Sequence, residues 1–183
     1  MNVFVFASSS TIYLLYAMSM IVLFYIGFRI KIIPDGKQAV IERFGVFYRV
    51  TIPGLNYLVP MIDKVKPTYD LSGNKTILID VTKQSFFVSP NEMMTKDNHK
   101  VLLFVEMVLQ VNDSKQYAYS VTEQFTPSIT RVLRAALQEI LIQLDKSEVY
   151  RSYHAISSAI LSEIQDKLRA YGIEIHEIIV GEE

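Results

Sequence analysis

The chain has 183 residues, half of them hydrophobic, with 18 Lys and Arg against 19 Asp and Glu, a net charge of -1 and no cysteine. That length supports one ordinary domain with a real core, and the balanced charge leaves no basic field to hold nucleic acid. Without cysteine there are no disulfides, thiolate nucleophiles or cysteine-ligated zinc sites.

Residues Val3 to Phe28 carry no charge. As a helix at ~1.5 Å per residue they would reach about 39 Å, more than the ~30 Å of a bilayer's hydrocarbon, and a tilted single span over residues 1–30 is expected. Val3, Leu14, Leu15, Ile21, Leu23 and Phe28 would face lipid, with Tyr13, Tyr16 and Tyr25 toward the interfaces. A cleaved signal peptide would want its basic residues before the apolar run, whereas Arg29 and Lys31 follow it. The same charges, with Lys37, favour a single-pass protein whose folded domain, residues 31–183, is cytoplasmic.

After this segment the pattern is that of strands, then helices. "KQAVIERFGVFYRV" reads as two short strands meeting near Gly45, and "VPMIDKVKPTYDLS" continues extended. "KTILIDV" and "EMMT" are further strands, with turns at Gly73-Asn74 and Ser89-Pro90-Asn91. In "VLLFVEMVLQV" the residues Val101, Leu103, Val105, Met107, Leu109 and Val111 share one apolar face, as in a sheet covered on one side. Asp97-Asn98 before it predicts a hairpin over residues 91–111. Thr126-Pro127 then reads as the cap and first turn of a helix with Ile129, Val132, Leu133, Ala136, Leu137, Ile140, Leu141 and Leu144 on its buried stripe. A second helix carries Val149, Tyr153, Ile156, Ile160, Ile164 and Leu168 and stops at Gly172, and "IEIHEIIV" returns as a closing strand. The fold class is α+β, with a twisted, mainly antiparallel sheet packed by helices.

Few residues promise chemistry. His99, His154 and His176 are far apart, and none has a His or Cys at ligand spacing, so no metal and no cofactor is expected. Ser72 to Lys75, "SGNK", matches the spacing at which a lysine activates a serine, the basis of an alternative reading as a membrane-tethered hydrolase. That geometry requires a serine opening a helix, and Gly73-Asn74 predicts a turn.

"ERFGVFYRVTIPGLNYLVPMID", residues 42–63, resembles the E-R-F-G, P-G-L, P-x-I-D signature of the stomatin, prohibitin, flotillin and HflK/HflC group, the SPFH or band 7 domain. "MTKDNHKVLLFVEMVLQVNDSKQYAYSV", residues 94–121, resembles that group's T-K-D-N, long strand and tyrosine-containing helix. "LRAALQEILIQL" is similar to its following segment. The likeness runs from Ile32 to Ile179 and is nearest the stomatin-like and paraslipin-like members, although "LDKSEVYRSYHAI" departs from their usual spacing. The family's charged C-terminal coiled coil is expected to be absent after "VGEE", which would weaken ring assembly.

What the resemblance implies is a non-enzymatic membrane scaffold that forms homo-oligomers, or assembles with related SPFH subunits, and organises lipid or holds membrane proteins such as channels and proteases. A variant of this expectation makes it a regulator of a membrane protease of the FtsH type. Within the signature, Gly45, Pro53 and Gly54 place turns, and Leu55, Tyr57, Leu58 and Val59 form an apolar tip for the headgroup region. The plainer alternative puts those four side chains in the core. Arg131, Arg134 and Glu139 are expected either at contacts between subunits or on a solvated helix face.

Overall fold

The computed structural model describes residues 9–27 and 30–182. Helix α1, Ser9–Gly27, carries no charge, and its side chains from Ser10 to Phe24 are all exposed. The expected crossing is not supported: among the described residues no helix is long and apolar enough to span a membrane. The physical reason lies in the first turn of α1, which is Ser9, Ser10 and Thr11. Among the described residues its apolar part runs from Ile12 to Gly27, about 24 Å against a hydrocarbon layer of ~30 Å. Of the expected anchor residues Leu14, Leu15, Ile21 and Leu23 are exposed on α1. Val3 and Phe28 lie outside the described residues.

The rest is α+β, as expected. Nine short strands come first: β1 Ile30–Ile33, β2 Lys37–Gln38, β3 Val40–Arg43, β4 Val46–Val50, β5 Gly54–Tyr57, β6 Asp63–Val65, β7 Thr68–Tyr69, β8 Lys75–Thr76 and β9 Ile79–Asp80. They pair as β4-β3-β6 and as the two-stranded ribbons β1-β5, β2-β9 and β7-β8, all antiparallel. The β3–β4 hairpin turns at Phe44 and Gly45, with φ of 53° and 80°. The extended runs expected over residues 59–72 and 75–81 are cut into these short pieces by side chains that bond nearby backbone. The Asp70 carboxylate accepts from the N–H groups of Ser72 and Asn74, at 2.9 and 2.8 Å, and the Thr76 hydroxyl bonds both the carbonyl and the N–H of Leu78.

The main sheet is β10, Gln84–Met94, with β11, Lys100–Val111, at its centre and β12, Ile173–Glu182, on the far side. Along β11 the odd-numbered residues from Val101 to Val111 are buried, the alternation its sequence predicts. The hairpin turns at Asp97-Asn98 but begins at Gln84, not at residue 91. The Ser89-Pro90-Asn91 segment, expected as a turn, instead lies within β10, at a register shift between Val88 and Asn91. Proline cannot donate to a ladder, and an edge strand with a bulge accommodates it.

Four helices join β11 to β12: α2 Ser114–Ser120, α3 Phe125–Leu141, α4 Lys146–Arg151 and α5 Tyr153–Arg169. Ile129, Leu133, Ala136, Leu137 and Leu141 of α3 and Ile156, Ile160, Ile164 and Leu168 of α5 are buried together with the covered face of β11. Two expected boundaries change. Thr126 is not the cap, since α3 begins one residue earlier after Gln124, and the Thr126 hydroxyl donates to the Leu71 carbonyl at 2.7 Å. The single helix expected from Val149 to Leu168 is broken at Ser152, whose φ of -114° and ψ of 13° are not helical, and α4 starts earlier, at a capping box of Asp145 and Glu148.

Short as it is, α2 ties the two halves together. Its Ser114 hydroxyl donates to Gln38 Oε1 at 2.6 Å and the Lys115 ammonium sits 4.5 Å over the Phe47 ring. The Tyr117 hydroxyl donates to the Tyr69 carbonyl at 2.9 Å. Tyr119 donates to Glu42 at 2.7 Å, and Lys66 reaches both, 3.2 Å from the Glu42 carboxylate and 4.2 Å over the Tyr119 ring.

Candidate functional site

The least ordinary surface belongs to the β1–β5 ribbon. Ile30 lies opposite Tyr57 and Ile32 opposite Leu55, and all four side chains point outward, Ile32 with 70% and Leu55 with 74% of its area exposed. Strand alternation sends Ile33 and Asn56 to the other side, where both are buried. The Asn56 side chain is satisfied there: its amide donates to the Ile52 carbonyl at 2.7 Å and the Gly54 carbonyl at 3.2 Å, and its oxygen accepts from Arg49 at 3.4 Å. One face of the ribbon is thus largely apolar and exposed, with the Tyr57 phenol its one polar group.

A second apolar projection is built by the neighbouring turns. Phe44 is 78% exposed and Met61 86% exposed, and the Phe44 N–H donates to the Ile62 carbonyl at 3.2 Å, which fastens the two turns side by side. Met61 has φ of 62°, in the left-handed region that a non-glycine residue occupies at a cost. Asp63 holds it there. The Asp63 carboxylate accepts from Arg43 Nε at 2.8 Å, Arg43 Nη2 at 3.1 Å and the Val59 N–H at 2.8 Å, and the guanidinium lies 3.8 Å over the Tyr48 ring. The Arg43 hydrogen bonds hold the Asp63 carboxyl below the usual carboxylate range, against the opposing effect of burial. The E-R-F-G and P-x-I-D segments are therefore two halves of one clamp.

Of the four expected tip residues, Leu55 and Tyr57 are exposed, while Leu58 and Val59 are half-buried. The core alternative does not hold for the first two. Ile30, Ile32, Phe44 and Met61 were not among the expected residues, yet the Ile30-Lys31-Ile32 alternation is the signal of a strand with one apolar face.

On α3, Arg131 and Glu139 are exposed. Arg134 is half-buried, and its Nε is enclosed with no hydrogen-bond partner among the described residues. Ser72 and Lys75 sit on the β7–β8 turn and at the start of β8, without the helix that a Ser/Lys pair requires. His99 lies in the β10–β11 turn, its Nδ1 3.0 Å from the Asp97 carbonyl. His154 and His176, 22 positions apart in sequence, meet at one groove between α5 and β12. Among the described residues no group of three His, Cys, Asp or Glu side chains is placed to hold a metal.

The SPFH domain / Band 7 family model matches residues 31–182. The chain is 27% identical to the human stomatin-like protein 2, mitochondrial, over 141 residues, which is 77% of this chain and 36% of that protein. Against stomatin-like protein stl-1 of Caenorhabditis elegans it is 26% identical over 146 residues, 79% of this chain and 41% of that one. An uncharacterized protein of Methanocaldococcus jannaschii shares 24% over 165 residues, 90% and 77% of the two chains. The chain thus spans little more than a third of the human relative's length.

Proposed function

The chain belongs to the SPFH domain / Band 7 family, and on that premise we propose that it is a non-enzymatic scaffold held at a bilayer, where copies of it assemble and gather membrane proteins. The observation that carries this reading is the outward, largely apolar face of Ile30, Ile32, Leu55 and Tyr57, which begins three residues after the end of the uncharged helix α1. Contiguous exposed apolar surface costs free energy in water and is relieved in the headgroup and acyl boundary. In this reading α1 lies in the lipid, the ribbon and the Phe44–Met61 projection seat beside it, and Leu58 and Val59 back them from beneath. Assembly runs through α3, where the exposed Arg131 and Glu139 meet a neighbouring copy beside the half-buried Arg134.

Flotation of the full chain with phosphatidylcholine–phosphatidylglycerol vesicles tests the first half. The chain should rise with the vesicles. A chain that remains at the bottom of the gradient overturns the reading. Native electrophoresis in mild detergent tests the second half, through a discrete large species lost on Arg134→Glu.

A further inference from the structure

The main sheet stops at β12, whose only strand neighbour among the described residues is β11. In an antiparallel strand alternate residues turn their N–H and C=O groups away from the neighbour, so this 10-residue edge presents a row of unpaired donors and acceptors. A groove of about 540 Å³ runs along it, bounded on one side by residues 176–180 and on the other by α5 and the end of α4. Five edge residues correspond to about 17 Å of extended chain at ~3.4 Å each. On the helix side Tyr153, Ser157 and Leu161 recur at four-residue spacing, all half-buried, beside the fully covered stripe of Ile156 and Ile160.

The groove's polar groups are incompletely matched. Among the described residues the Tyr153 hydroxyl is enclosed with no hydrogen-bond partner, and Arg151 makes no ion pair. Arg151 and His154 face a single lining carboxylate, Glu177, while His176 Nε2 lies 2.7 Å from Gln110 Oε1. One end is closed by the Tyr150 hydroxyl, which donates to Glu182 at 2.8 Å, with the Tyr150 and Tyr153 rings edge to face.

We propose that this groove takes an extended, acidic peptide segment of a partner protein as a fourth strand paired to β12. Backbone bonds to the open edge supply affinity, and a carboxylate near Arg151 fixes the register. The site lies on α5 and β12, away from the apolar ribbon, so it goes beyond the bilayer reading and does not depend on it.

The test uses the full chain in detergent micelles and a fluorescein-labelled nonapeptide of alternating valine and glutamate. Anisotropy should rise to saturation, and the glutamine version of the peptide should bind about tenfold more weakly, as should the glutamate version to Arg151→Glu. N-methylation of one alternate set of peptide amides should abolish binding while the other set leaves it intact. Ser157→Trp, which fills the groove, should abolish it too. No saturation, equal binding by both methylated peptides, or unchanged binding to Ser157→Trp overturns the proposal. So does a dimer that Ser157→Trp dissolves and no peptide enters, because a second copy would then own the edge. Flotation of the same preparation reads bilayer attachment alone: a chain that floats but binds no peptide removes the groove and leaves the scaffold standing.

Discussion

Asp63 and Arg43 are joined by two parallel hydrogen bonds, Nε to Oδ1 at 2.8 Å and Nη2 to Oδ2 at 3.1 Å, and the carboxylate side chain is almost wholly enclosed. Removing one partner of such a pair leaves the other desolvated. Asp63→Ala also strips the Val59 N–H of its acceptor and should lower the urea midpoint at constant slope, with Arg43, a third exposed, partly compensated by water.

The same carboxylate sets an acid limb. Its folded pKa lies below the ordinary value of 3.8, so its contribution is present above about pH 4 and is lost as the pH falls through the lowered value. Urea midpoints measured through the acid range should fall less steeply for Asp63→Asn than for the native chain, from a lower starting point.

Ile32 and Leu55 pair across the ribbon with both side chains outward. Replacing both by glutamine removes exposed apolar area, places no like charges across the ribbon and touches no buried group, so stability should change by no more than about 0.5 kcal/mol per site. Flotation with vesicles should fall sharply. Undiminished flotation would assign bilayer attachment to α1 alone.

At the other end of the scale, burial and the hydrogen bond to Glu42 push the Tyr119 phenol up to about 12. A raised folded pKa means the contribution is complete below the ordinary value near 10 and is lost as the pH rises through 12. Tyr119→Phe should flatten the stability profile between about pH 10 and 12, measured by urea midpoints across that window.

Two glycines with positive φ should respond differently to alanine. Around Gly45, φ 80°, a new Cβ meets nothing within 4 Å, whereas at Gly172, φ 74°, it would lie 2.4 Å from the Asp113 carbonyl oxygen. Gly45→Ala should cost about 1–2 kcal/mol from backbone strain alone, and Gly172→Ala distinctly more, because backbone has to move. Equal unfolding midpoints would contradict this.

Much of the architecture is legible in the residues themselves. The alternation from Val101 to Val111 announced a strand with one covered face, the spacing from Ile156 to Leu168 announced the buried stripe of α5, and the signature from Glu42 to Asp63 announced the family. What was misread had local causes. Pro90 looked like a stop, but a bulge in an edge strand absorbs it. Thr126 looked like a cap, but its hydroxyl bonds Leu71, a partner 55 positions away that no local pattern reveals. The apolar segment of residues 1–30 was weighed by its composition, while the three hydroxyl residues that open α1 shorten its apolar reach. Leu58 and Val59 are distinguished from Leu55 and Tyr57 only by where the chain leaves the ribbon, which is a tertiary fact. The groove at β12 is likewise invisible in sequence, because its two histidines come from different elements.

The contacts of α2 have a mechanical consequence. Within seven residues it grips β2, β3, β4 and β7 through Ser114, Lys115, Tyr117 and Tyr119, so there is little slack between the greasy end of the molecule and the broad sheet. A force on β2, β3, β4 or β7 passes directly into α2, which only Asn112 and Asp113 separate from the end of β11.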